Sequence, residues 1–473
     1  MYTLIRIILI NNFIINSLQL LQRTPKALPM KKRQFVLGGL SVAGLSACGG
    51  GGGSSGSGGL GTAPSLQNRF VQANLAASAK SYKAKYTLPD MVSAWGIAIR
   101  PAGAGGHFWV GGGGSSWQFV GDVKNSANTA LREITVDQLT RINPQVGTVP
   151  LDGTRFGNVT GVAYNGAALW GGDLASTKFA VTPTSSNAAQ SMNGINMEGS
   201  ARFIFASDSG LLSAWTDRRA DTGGILRENG NTQLIYDGGT NDGSAYFGLA
   251  MKTDTYDTLW VVDFGSSPQI RQFDAQWNLV PTVGFANPFG SGTSGAAKPG
   301  DFVPFNIITI GKRVFVTYAK SRVSETDVNA FFAGEEDSLE PDQEKLANFA
   351  PDRGRLVEFD LSGNLVRIYS DEKHLNAPWG ITQAPANFGA FSNAILVANF
   401  GGAGYIMGFD GVTGKFLGYL RGLDNSFVAI EGIWGMLFGN GVSLGDTDAL
   451  YFAAGPESGA PTGLFGSLRY APL

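Results

Sequence analysis

The chain has 473 residues, 67 of them glycine, about twice the usual share, and no three-residue period orders them, which excludes a collagen-type helix. Charged residues make up 15% and apolar ones 43%, including 30 Phe, 13 Tyr and 9 Trp, so the chain has ample surface to bury and is not disordered by composition. The charge sum of 35 minus 37, or −2, offers no basic excess for nucleic acid, and one Cys with two His excludes a zinc cluster or a disulfide framework.

Residues 1–29 carry an apolar run from Ile5 to Leu21, broken by Asn11 and Asn12. They precede a complete export signal, so Met30 reads as the start and 1–29 as an upstream extension. In residues 30–48, Lys31, Lys32 and Arg33 form a basic n-region, and Phe35 to Leu45 an apolar h-region too short for a stable span. Leu45-Ser46-Ala47-Cys48 resembles a bacterial lipobox, in which the Cys is acylated after cleavage. This predicts lipidation of Cys48, an outer-membrane lipid as partner, and an extracytoplasmic lipoprotein facing the periplasm or the cell surface. Residues 49–65, rich in Gly and Ser, read as a flexible tether. The Gly52–Gly56 match to G-x-S-x-G falls in this tether, without the strand and helix that a nucleophile elbow needs.

From residue 66 to 473 the pattern is short β-branched and aromatic runs bounded by Gly, Asn, Asp and Pro. A recurring unit opens with a small or apolar residue, Gly, then an aliphatic residue. It occurs as Ala94-Trp95-Gly96-Ile97, Thr160-Gly161-Val162, Phe247-Gly248-Leu249, Pro378-Trp379-Gly380-Ile381 and Ile433-Trp434-Gly435-Met436. Pro304-Phe305-Asn306-Ile307 is the same unit with Asn for Gly. Apolar second strands follow each, such as Leu259-Trp260-Val261-Val262 and Ile395-Leu396-Val397. Six units of three to four strands predict an all-β, six-bladed β-propeller. The last unit lacks a fourth strand, and residues 69–76 are a strand candidate at the other end of the chain. They are expected to close the ring as the outer strand of the last blade.

Stretches 302–319, 375–402, 430–441 and 450–468 resemble an uncharacterised family of exported bacterial proteins. The resemblance covers most of 88–470 and implies six-bladed propellers of the NHL type, with no assigned reaction. Gly111 to Gly114 stand where that family has a polar turn after the first blade.

Trp95, Phe247, Phe305, Trp379 and Trp434 each sit at an innermost strand and should crowd one mouth of the channel; with Asn306 they form the candidate ligand-binding set. The alternative is packing between blades, with the following Gly letting backbones approach. Asp208, Asp263 and Asn399 close second strands and, with Glu431, form a candidate calcium site; the alternative is turn-capping by each side chain. Segment 321–353 carries nine acidic residues and should project beside the aromatic mouth, as a lid, a cation-binding loop, a partner surface or a solvated insertion. His107 and His374 lie near no nucleophile signature and read as surface residues.

The function expected is a lipid-tethered, monomeric binding or scaffold propeller on a bacterial envelope, with a glycan or protein partner. A calcium-dependent lactonase-like hydrolase and a carbohydrate-active propeller are the alternatives, since a propeller hosts many functions.

Overall fold

The computed structural model describes residues 67–101, 106–142, 144, 157–167, 176–183, 189–191, 193–227, 230–323, 331–332, 350–455 and 462–472. The extension, the signal, Cys48 and the tether lie outside the described residues. So do all the acidic residues of 321–353 except Asp352, which pairs with Arg355 at 2.7 Å and Lys373 at 3.6 Å.

The described residues form six antiparallel blades. Their innermost strands are Ala94–Ala98, Val159–Tyr164, Tyr246–Met251, Phe302–Ile310, Pro378–Gln383 and Ile433–Phe438. Each touches the next in this order and the last touches the first, so the ring is closed. Second strands such as Thr258–Asp263 and Ile395–Asn399 are buried almost throughout, because neighbouring blades cover both faces. That is why they read as continuous apolar runs rather than as an alternation. Separate core clusters fill the gaps between blades, each dominated by aliphatic and aromatic side chains.

The ring closes as the sequence predicts. Phe70–Ala77 pairs antiparallel with Leu464–Tyr470, from Phe70 opposite Tyr470 to Ala77 opposite Leu464. Two-residue strand Tyr86–Thr87 adds in parallel beyond it, so the sixth blade has five strands. Phe70 is buried against Phe388, with centroids 4.7 Å apart, so N-terminal residues lock onto the connection of the fifth blade as well.

Further clasps tie blade to blade. Arg100 of the first blade meets buried Asp217, in the connection to the outer strand of the second, at 2.9 Å. Arg469 of the sixth meets Asp122 of the first at 2.7 Å, with the Tyr451 hydroxyl on the same Asp122 oxygen at 2.7 Å.

Candidate functional site

All six innermost strands bulge at the same place. One or two residues stand unopposed there: Trp95 and Gly96, Thr160, Phe247, Phe305, Trp379, and Trp434 and Gly435. A bulge re-aims a side chain and tightens the local bend. Here it gathers the five predicted aromatics together: Trp95, Phe305, Trp379 and Trp434 form one buried cluster with Phe264, and half-buried Phe247 and Phe400 pack at its edge. Trp95 stacks on Trp434 at 3.7 Å, Phe400 stacks on the same indole at 3.8 Å, and Trp379 meets it edge-on at 5.9 Å. Thr160 is the exception in the second blade, and its hydroxyl donates to the Tyr246 carbonyl at 2.6 Å.

The residue that follows the first unopposed one explains the recurring glycine. A Cβ on Gly96 would come within 2.8 Å of the Val162 amide, one on Gly380 within 2.3 Å of the Trp434 carbonyl, and one on Gly435 within 2.7 Å of the Trp95 carbonyl. Each glycine thus seats the next blade's backbone at the narrow axis. In the fourth blade Asn306 fills this place. Its Nδ2 donates to the Trp379 carbonyl at 2.7 Å, and its Oδ1 accepts from its neighbour Ile307 N at 2.8 Å. The Trp379 indole in turn donates to the Phe247 carbonyl at 3.0 Å. The aromatic end of the channel is therefore a packed, hydrogen-bonded plug.

Beyond the plug, toward the C-terminal halves of the inner strands, lies a cavity of about 310 Å³. Trp379 and Asn306 border it, and Ile97, Val162, Leu249, Ile307, Ile381 and Met436 contribute one wall residue per blade. Half-buried Ile99, Tyr164, Thr253, Ile308 and Leu437 continue the wall. No carboxylate, imidazole, amine, guanidinium or thiol lines it among the described residues. The two threonine hydroxyls of the wall are engaged in the protein: Thr253 donates to the Gly311 carbonyl at 2.7 Å and Thr309 to the Met251 carbonyl at 2.9 Å. The buried Arg202 donates to the carbonyls of Asn165 and Ala167, just after Tyr164 in the chain, and is not part of the lining. Burial pulls that guanidinium down to about 10, against the pull of nearby Asp217.

The four residues of the calcium set stand in separate blades. Asp263 is fully buried, with one oxygen accepting from the Ala245 and Gly265 amides and the other from Ser244 Oγ at 2.7 Å and Arg271 Nε at 2.6 Å. Asp208 accepts from the Asn158 amide at 2.7 Å, and Asn399 from the Asn376 amide at 3.0 Å. All three side chains thus hold the segment that leads into the inner strand of their own blade. Glu431 is exposed just before the sixth inner strand. Among the described residues no three His, Cys, Asp or Glu side chains are gathered to hold a metal ion.

The histidines are not both at the surface, as their sequence positions had suggested. His107 is buried beside the second strand of the first blade. His374 is half-buried, its ring stacked on Phe416 at 4.4 Å and its Nδ1 3.0 Å from the Tyr419 hydroxyl. Both serve packing in a fold rich in aromatics.

The sequence singled out the aromatics but not the wall of the cavity. Its signal was present: the aliphatic residue in each repeat unit, which marks the repeat, also lines the cavity in all six blades.

No family model matches the chain. It is 26% identical over 363 residues to "Uncharacterized protein R648" of Acanthamoeba polyphaga mimivirus, covering 77% of this chain and 72% of that protein. It is 28% identical over 229 residues to "Uncharacterized protein L690" of the same virus, covering 48% of this chain and 52% of that protein. These relatives are viral, which corrects the expectation of bacterial ones. The WD40 domain of Neurospora crassa Pan2 superposes with a TM-score of 0.37 at 10% identity, over 85% of this chain and 97% of that one.

Proposed function

We propose that the chain is a binding propeller with NHL-like blades, held outside the cytoplasm by a lipid on Cys48, and that its work is to hold a ligand or a protein partner. The observation that supports the binding reading is the channel: a cavity built by all six blades whose described wall is largely aliphatic and holds no carboxylate, imidazole, amine, guanidinium or thiol. The bonding of Asp263 supports it over a calcium-dependent hydrolase, because both carboxylate oxygens already face protein donors. The lipid tether rests on the sequence of residues 30–48.

The test uses the full chain in a diderm bacterial host fed an alkynyl palmitate. Label on the wild type and none on Cys48→Ser is expected, with the variant released into the soluble fraction. Equal labelling of both, or of neither, overturns the tether. Elemental analysis with melting before and after chelation tests the binding reading itself. An unchanged melt is expected; about one calcium per chain with a chelator-sensitive melt overturns it.

A further inference from the structure

We infer that the channel cavity seats a small, neutral, largely apolar molecule, against the ring of aliphatic residues that follow the six bulges. This names the ligand class of the binding reading above and rests on it. The repeat brings Ile97, Val162, Leu249, Ile307, Ile381 and Met436 to one cavity, with Trp379 beside them. Its volume, about 310 Å³, lies at the lower end of the range of about 300–1,000 Å³ usual for small-molecule sites.

The polar groups at this cavity decide the ligand's chemistry. Asn306 uses its amide on the Trp379 carbonyl and the Ile307 amide. Thr253 and Thr309 use their hydroxyls on backbone carbonyls. The Trp379 indole is turned to the Phe247 carbonyl. A sugar entering here would bring several hydroxyls into a site where the amide, the indole and both threonine hydroxyls are already paired and the Tyr164 phenol, beside Arg202, is the other side-chain polar group, so most of them would lose their hydration. A carboxylate or sulfonate would meet no cation in the described wall. A neutral apolar molecule loses nothing of this kind, and it displaces water that an apolar wall holds poorly. The aromatic plug closes the mouth where the candidate ligand-binding aromatics were expected, so these rings limit the depth of the site rather than stack the ligand.

The probe is N-phenyl-1-naphthylamine, titrated by fluorescence into the full chain, with its anionic relative 1-anilinonaphthalene-8-sulfonate in parallel. Saturable, single-site binding of the neutral probe is expected, at least about tenfold tighter than the sulfonate. Leu437→Trp and Ile308→Trp, both half-buried in the wall, each narrow the cavity and should weaken binding by about tenfold or more. Two variants are used so that a folding failure in one leaves the other. Val412→Ser, on an apolar residue 80% exposed at the outer rim, should change nothing. Non-saturable binding, tighter binding of the sulfonate, or unchanged affinity in both folded tryptophan variants overturns the inference. Loss of affinity in Val412→Ser alone overturns it too, placing the probe on the outer edge. Each of these results leaves the general binding reading standing, because only calcium content and chelator sensitivity speak against that.

Discussion

The Trp379 indole nitrogen lies 3.0 Å from the Phe247 carbonyl, so a side chain of the fifth blade is bonded to the backbone of the third, past the fourth between them. The bulge at each residue makes this possible. It takes Trp379 and Phe247 out of the ladder of their own blades, which frees one to point its ring and the other its carbonyl toward the axis.

Trp379→Phe keeps an aromatic ring and removes the donor. It should lower stability by about 1–3 kcal/mol, the usual cost of leaving a buried carbonyl unpaired. Trp379→Ala, which also empties part of the plug, should cost about 3–5 kcal/mol. Denaturant midpoints check both. A Trp379→Phe protein as stable as the wild type would show that the cross-blade bond contributes nothing.

Gly248 and Asn306 are coupled by contact. A Cβ on Gly248 would stand 2.0 Å from Asn306 Oδ1 and 3.2 Å from its Cα. Gly248→Ala should therefore cost about 1–3 kcal/mol through overpacking. In an Asn306→Gly background the oxygen is gone, so the same substitution should cost clearly less. A double-mutant cycle with no coupling energy would contradict the close approach.

Ring closure depends on the N-terminal strand. Phe70, buried between Phe388, Phe391 and Tyr470, anchors it. Phe70→Ala should destabilise by about 3–5 kcal/mol. Hydrogen exchange should show the first loss of protection in Leu464–Tyr470, the strand that Phe70–Ala77 covers. Loss spread evenly over all six blades would argue against a latch.

Glu358 gives the fold a pH-dependent contribution. Burial alone would raise its carboxyl, but two bonds from Arg313, the Tyr369 hydroxyl and nearby Arg367 hold it below the ordinary glutamate value. A lowered carboxyl contributes stability that is complete above the unfolded value, about 4.3, and fades as pH falls through the folded one. Glu358→Gln should melt lower than wild type at pH 7, by a loss of about 1–3 kcal/mol, and the gap should narrow below about pH 4. Melting curves from pH 7 to 3 check it; a gap that widens on acidification would reverse the sign.

The propeller was legible because its repeat unit encodes a mechanical event. Trp95-Gly96-Ile97 and its counterparts mark a bulge, a close backbone approach and a wall residue, and all three recur with the blades. The closing strand was legible as an unpaired apolar run at one end and a missing strand at the other. The site was less so. Composition cannot tell an aromatic that lines a vestibule from one that fills it; that depends on how near the axis the bulges bring the rings, here 3.7 Å between Trp95 and Trp434. Asp263 likewise reads the same in sequence whether its oxygens face an ion or Arg271, since that partner lies on the next strand, opposite Val261, at a place only the strand register decides. His107 reads as a surface residue in the sequence yet is buried, because polar character says little where two blades press together.

The most direct measurement is a crystal structure of the protein soaked with N-phenyl-1-naphthylamine. Probe density in the channel beside Trp379, within contact of Val162 and Met436, is the result expected. Density confined to the outer edges of the blades, around Leu365 or Val412, with the channel unchanged, would contradict a binding seat at the axis.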